Sequence, residues 1–172
     1  MAGSDYPPIG DANTAAEQDD FETLPRDRIA VRSLREDDLA AMVKIAAKVT
    51  GQDQTAYLTR KLADALNESG VRVSLVAELD EHVVGYVMAR VDFGDFGKTE
   101  PEAVIDTLGV DPDYGNQEVG TALLSQLLVN LQSLRIEHVR TEIRWNQFDL
   151  LSFLEHNGFM PSQVLALSRR LV

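Results

Sequence analysis

The sequence predicts a mixed α/β (α+β) domain: a mostly antiparallel sheet of about six to seven strands flanked by about four helices, with one parallel pair between the fourth and fifth strands. Two observations carry this. Short runs with apolar residues at every second position alternate along the chain with longer segments whose apolar residues recur every third or fourth position. Their order is strand, helix, helix, hairpin, strand, helix, strand, helix, strand. A helix therefore crosses over between the fourth and fifth strands and sets them parallel.

The first strand is "RIAVRSL", where Ile29 and Val31 alternate with Arg28 and Arg32. Ser33 is placed to cap the next segment, "LREDDLAAMVKIAAKV", with Glu36 in the capping-box position and Leu39, Met42, Val43, Ala46 and Val49 as the apolar stripe; Gly51 ends it. A second amphipathic helix is expected from Thr55 to about Glu68, with Tyr57, Leu58, Leu62, Ala65 and Leu66 on one side. "VRVSLVAELDEHVVGYVMARVDF" reads as a hairpin that turns at Asp80, Glu81 and His82 and continues to Phe93. "AVIDTLGV" is the fourth strand, and in "VGTALLSQLLVNLQSLR" Leu123, Leu124, Leu127, Leu128, Leu131 and Leu134 cover a wide helical face. "HVRTEIRW" is the fifth strand. The helix "FDLLSFLEHN" takes Asn146 as its cap and closes at Gly158, before a last strand, "QVLALSRRLV". The single tryptophan, Trp145, can line an acceptor pocket or be buried against that helix, and burial is the expectation for a lone tryptophan.

The length of 172 residues suits one domain, read as residues 28–172. Residues 1–27 hold seven acids against Arg26 alone, half of the net charge of −12, without periodicity, and read as an acidic, disordered leader. Cysteine is absent, and His82, His138 and His156 have no paired spacing, so no metal site is expected. No apolar run approaches the roughly 20 residues that span a bilayer. The N-terminus also lacks the basic start and apolar block of a signal peptide. A cytoplasmic protein with no membrane partner is the expectation. The acidity disfavours nucleic acid, which needs a basic footprint, and favours an amine substrate.

Between the fourth strand and the third helix stands "DPDYGNQEVGTALL", Asp111 to Leu124. It begins as a loop suited to a phosphate and runs into a helix, whose N-terminal amides and dipole attract anions. With the hairpin "VAELDEHVVGYVMARV", the strand "VRTEIRWNQ" and the helix end "FLEHNGF", it resembles the GNAT superfamily of acyl-CoA-dependent N-acetyltransferases from about Arg28 to the C-terminus. Counting from Val110, Pro112, Tyr114, Gly120 and the following "TALL" fall in the family's positions, while Gly115 occupies an Arg/Gln slot and Glu118 a glycine slot. A carboxylate ~5 Å from a phosphate oxygen would cost roughly 3 kcal/mol at an effective dielectric of about 20, and a small fraction of that if turned into salt solution. Read without the family, Glu118 is an acid in the first turn of a helix, worth about 0.3–1 kcal/mol through the dipole. A glycine slot also implies positive φ or close approach of a ligand.

The resemblance implies transfer of an acetyl group from acetyl-CoA, as co-substrate, to a primary amine. It implies that the backbone around Leu108 and Val110 pairs with the pantetheine arm, and that the amides of Gly115, Gln117, Val119, Gly120 and Thr121 hold the pyrophosphate. Asn146 lies close to a family asparagine that touches the arm. Asp106 is the base candidate, placed by strand alternation on one face with Leu108 and Val110; Glu102 and Glu142 are in reserve. An aspartate bonded to a neighbouring chain segment is the plainer reading of Asp106. The family's acid, a tyrosine four residues before the glycine of the closing "GF", is Leu154 here, so the proton for the departing thiolate has no assigned source. Two other readings stay open: a GNAT fold that binds a ligand or partner with Glu118 blocking the anion site, and an oligomerisation module with a large apolar face left over. The acceptor, a small amine or a protein amine, is not legible, and a homodimer is expected on frequency alone.

Overall fold

Five strands form a single sheet in the order β1 (Ala30–Ser33), β2 (Leu75–Leu79), β3 (His82–Asp92), β4 (Glu102–Val110), β5 (His138–Thr141). This computed structural model describes residues 29–67, 71–93, 100–115, 118–163 and 167–171; the acidic leader and Gln117 lie outside them. Helices α1 (Leu39–Thr50) and α2 (Thr55–Asn67) follow β1, α3 (Val119–Ser133) links β4 to β5, and α4 (Phe148–His156) follows β5. β1 to β4 pair antiparallel, and β4 pairs parallel with β5, as the α3 crossover requires. The described residues hold fewer strands than the six to seven expected. In the last expected strand, residues 167–171 are not extended in the sheet and Leu167 is 91% exposed. There the alternation stops at Ser168, Arg169 and Arg170, and no apolar face remains to bury.

The sheet is covered on both faces, so β2 and β3 are buried along most of their length. Leu75, Ala77, Val87 and Ala89 face α3, where Leu123, Leu124, Leu127 and Leu131 pack on them; Val76, Tyr86 and Met88 face Met42, Ile45, Leu58 and Leu62 of α1 and α2. The β2–β3 turn is two residues long, with Asp80 at φ 50° and Glu81 at φ 63°, the geometry that matches strand twist even without glycine. Among the described residues no helix is long and apolar enough to cross a membrane.

The pairing of β3 with β4 slips by one residue: Met88 faces Thr107, Ala89 faces Ile105, and Asp106 is the extra residue between them. Strand parity therefore reverses at Asp106. Ala103 and Ile105 lie on the α3 face, and so do Leu108 and Val110, while Thr107 and Gly109 turn with Asp106 toward α1 and α2. The shared face expected for Asp106, Leu108 and Val110 is thus corrected by the bulge.

The start of α1 also differs from expectation. Ser33 is the last residue of β1, and a single 3-10 turn, Glu36–Asp38, leads into the helix. The Asp38 carboxylate does the capping, accepting the Arg35 N–H at 2.7 Å. It also accepts both Arg32 Nη1 (2.9 Å) and Nη2 (2.8 Å), and Arg32 Nε donates to Glu78 at 2.7 Å. Burial pulls the Asp38 carboxyl up, but the bonds from Arg32 and Arg35 outweigh it and hold it below the ordinary range. A depressed folded value means that the contribution is complete above about pH 4 and is lost as pH falls through that value. Asp38→Asn should therefore cost about 1–3 kcal/mol at neutral pH, by weakening the charge-assisted bonds from Arg32 and Arg35 while Glu78 still pairs with Arg32. Chemical denaturation of both proteins from pH 7 to pH 3 checks this: the gap must narrow toward acid, and a constant gap assigns the loss to packing.

Candidate active site

β4 and β5 pair only from Glu102 and His138 to Ile105 and Thr141, and β4 then runs on to Val110 without β5. Where the strands part, a cavity of about 830 Å³ opens. Its floor is β4 from Ile105 to Gly109 with Tyr86 of β3, one wall is the α1–α2 connection from Thr50 to Tyr57, and the other is the β5–α4 connection with Leu150 and Leu154. A second groove, of about 420 Å³, runs along the start of α3 and is lined by Val110, Gly115, Glu118, Gly120, Thr121 and Phe153. The two share Val49, Leu108, Gly109 and Leu150, so they form one continuous channel.

The loop between β4 and α3 is fixed by Asp111, which is 7% exposed. Its N–H donates to Val84 C=O at 2.8 Å, and its carboxylate accepts the Asp113 N–H at 3.1 Å. Lys48 of α1 places Nζ 2.8 Å from each Asp111 oxygen and 2.7 Å from Asp113. Burial pulls the Asp111 carboxyl up, while Lys48 and the Asp113 amide pull it down more strongly, so it stays ionised; the same bonds raise Lys48. The far end of the loop is seated by close packing: a Cβ on Gly85 would come within 2.7 Å of Val119 Cγ1, so only glycine lets the start of α3 rest on β3.

The structure brings Leu108, Val110, Gly115, Gly120 and Thr121 together around the groove, as expected for residues meeting one ligand. Val119 is fully buried with the α3 leucines, which leaves only its backbone for a ligand. Glu118 stands at the helix start with φ 57° and ψ 20°, so its slot does demand a left-handed backbone. Its side chain is exposed, makes no capping bond and lines the groove. Gly115, by contrast, has φ −58° and could be any residue.

Asp106 lines the cavity, with its carboxylate between two cations: Lys61 Nζ lies 3.1 Å from Oδ2 and Arg90 Nη1 bonds Oδ1. Of the reserve acids, Glu102 bonds Arg140 Nε at 3.0 Å, and Glu142 sits 81% exposed at the lip. Asn146 is also at the lip, away from the groove. It is not the cap of α4: Gln147 holds that position and accepts the Arg144 N–H at 2.9 Å. Trp145 is 84% exposed and stacks edge-on against Phe148 at 6.5 Å, contrary to the expected burial. At the closing end, His156, in the last turn of α4, has Nδ1 2.7 Å from Ser152 C=O. Tyr86 and Tyr57, both on the cavity, are the residues sequence reasoning left unplaced. The pairing of Tyr86 with Gly109 is a signal that only the strand register reveals.

Glu118→Gly gives a direct reading of the helix start. It relieves about 1–2 kcal/mol of left-handed strain and gives up about 0.3–1 kcal/mol of dipole stabilisation. The variant should melt at a higher temperature, with a net gain near 1 kcal/mol. A lower melting temperature would show that the carboxylate, and not the backbone, sets the energy there.

Residues 29–159 match the sequence profile of the acetyltransferase (GNAT) family. The N-alpha-acetyltransferase of Saccharolobus solfataricus is 25% identical over 141 residues, 78% of this chain and 82% of that protein. The aminoglycoside N-acetyltransferase AAC(6')-Iy, solved in complex with CoA, superposes with a TM-score of 0.70 at 11% identity, over 83% of this chain and 94% of that one. Arabidopsis thaliana Naa50, solved with the bisubstrate analogue CoA-Ac-MVNAL, gives a TM-score of 0.63 at 19% identity, over 79% of this chain and 85% of that one. At these identities the superpositions speak for the fold, and with a profile match that spans the sheet, the phosphate-type loop and α4, the chain belongs to the acetyltransferase (GNAT) family.

Proposed function

We propose that this protein transfers an acetyl group from acetyl-CoA to a primary amine. One observation carries the reading: the groove at the start of α3 and the cavity between the parted strands meet at Leu108 and Gly109. A long ligand anchored by phosphates at one end then presents its reactive end to a second substrate at the other. In this reading the amides of Gly115, Gln117, Val119, Gly120 and Thr121 take the pyrophosphate, and the free edge of β4 at Leu108 and Val110 takes the arm. Asn146 orients the acceptor side of the arm from the lip. Asp106 acts on the acceptor amine through water, since both its oxygens are held by cations. The aminoglycoside in the name of one relative and the peptide in the bisubstrate analogue bound by another support an amine for this chain. The acids Asp53 and Glu142 at the cavity mouth suit an ammonium group on approach.

A second reading rests on Glu118, whose exposed carboxylate lines the groove where phosphates would lie. If it fills the anion site, the protein binds a different ligand. Calorimetric titration of acetyl-CoA into the protein and into Glu118→Gly, at low and moderate salt, separates the two. The expected result is micromolar binding by both, tighter for the glycine variant and most so at low salt. Binding by the variant alone would establish the second reading. For Asp106, Asp106→Asn should lower turnover strongly with little change in acetyl-CoA affinity; equal loss of both would remove it from the chemistry.

A further inference from the structure

We propose that Tyr86 is the proton donor to the departing thiolate, the position that Leu154 leaves empty. This rests on the acetyl-transfer reading above. Tyr86 stands on β3 directly opposite Gly109, one of the residues that groove and cavity share. The contact is close: a Cβ on Gly109 would lie 2.6 Å from Tyr86 Cε1 and 2.9 Å from Oη, so the phenol occupies the space a side chain would take beside that backbone. Tyr86 lines the cavity, yet the residue as a whole is only 2% exposed. Its ring is fixed among Met42, Ile45, Leu58 and Met88, and its hydroxyl is bonded to Thr107. Burial pushes the phenol up, against the hydrogen bond from Thr107, and Tyr57 nearby adds to the rise, so the hydroxyl keeps its proton at neutral pH. A proton-bearing donor at the reacting end of the channel is what the position of Leu154, 5% exposed and aliphatic on the opposite wall, does not supply.

The step balances as follows. The acceptor nitrogen forms a bond to the acyl carbon, the carbon–sulfur bond breaks, and its electron pair stays on sulfur. Tyr86 Oη gives its proton to that sulfur. Asp106, through water, takes the proton that frees the amine for attack, and the second proton, shed as the nitrogen becomes an amide, returns to the phenolate, with the Thr107 hydroxyl holding the oxygen in place.

The test compares leaving groups on one protein preparation. Thiol release from acetyl-CoA is followed with the amine that gives the highest turnover, or with water if none does, in the unmodified protein and in Tyr86→Phe. Release of nitrophenolate from 4-nitrophenyl acetate is followed alongside, because that leaving group departs without a proton. Tyr86→Phe should release thiol about 100-fold more slowly, release nitrophenolate within about threefold of the unmodified rate, and bind acetyl-CoA unchanged. Equal losses with both substrates, or no loss with either, overturn the proposal while acetyl transfer stands. An unmodified protein that binds acetyl-CoA but releases thiol no faster than buffer also overturns it. Failure to bind acetyl-CoA at all overturns the acetyl-transfer reading and this inference with it.

Discussion

Between Ile105 and Thr107, β4 carries one residue that β3 does not match, and the geometry of the site descends from it. A bulge bends the strand and increases its twist, and it does so at the residue after which β4 and β5 no longer pair. It also exchanges the two faces of the strand. Leu108 and Val110 are thereby returned to the α3 side, beside the loop, while Gly109 comes to lie opposite Tyr86 and Asp106 turns toward α2. Without the extra residue the strand would present Gly109 to α3 and Leu108 to Tyr86. Neither the close Tyr86 contact nor the continuous channel would then form.

The loop that follows is held before any ligand arrives. Lys48 reaches it from α1, the Asp111 amide ties it to β3, and the seat at Gly85 fixes the start of α3. A ligand bound there would meet the Gly115, Val119, Gly120 and Thr121 amides already in place, which spares the ordering cost that a loose loop would impose. Glu118 is the one element at odds with this arrangement. Its backbone adopts the conformation glycine would favour, and its charge would oppose a bound anion, yet its side chain makes no capping bond that would fix it over the groove. Solvent and salt weaken its repulsion in that setting far more than they would a buried charge's.

Much of this was legible in the chain. The leucines of α3, the hairpin and the helical crossover carry strong periodicity, and each folds as its pattern demands. Leu108, Val110, Gly115, Gly120 and Thr121, singled out in the chain, do line one groove. What failed was parity and burial. A bulge has no sequence marker, so the face of Asp106 was misjudged by one residue, and with it the cations that hold its carboxylate. α4 starts one residue later than expected, with Gln147 and not Asn146 at its cap position, and the Gln147 side chain turns back to the Arg144 amide. Ser33 lost the α1 cap to Asp38, whose carboxylate also answers Arg32. The two cap misses turned on where one polar side chain found its partner, and spacing along the chain does not encode that.

Trp145 is the chain's one tryptophan, and it stands 84% exposed between Arg144 and Asn146, both of which line the cavity. Its indole, set edge-on against Phe148, is the sole long-wavelength fluorophore of the protein. In water its emission lies to the red; a ligand that covers the lip shifts it to the blue or quenches it. An acceptor screen can therefore be read from the intrinsic light of the unlabelled protein, with no contribution from a second tryptophan to subtract.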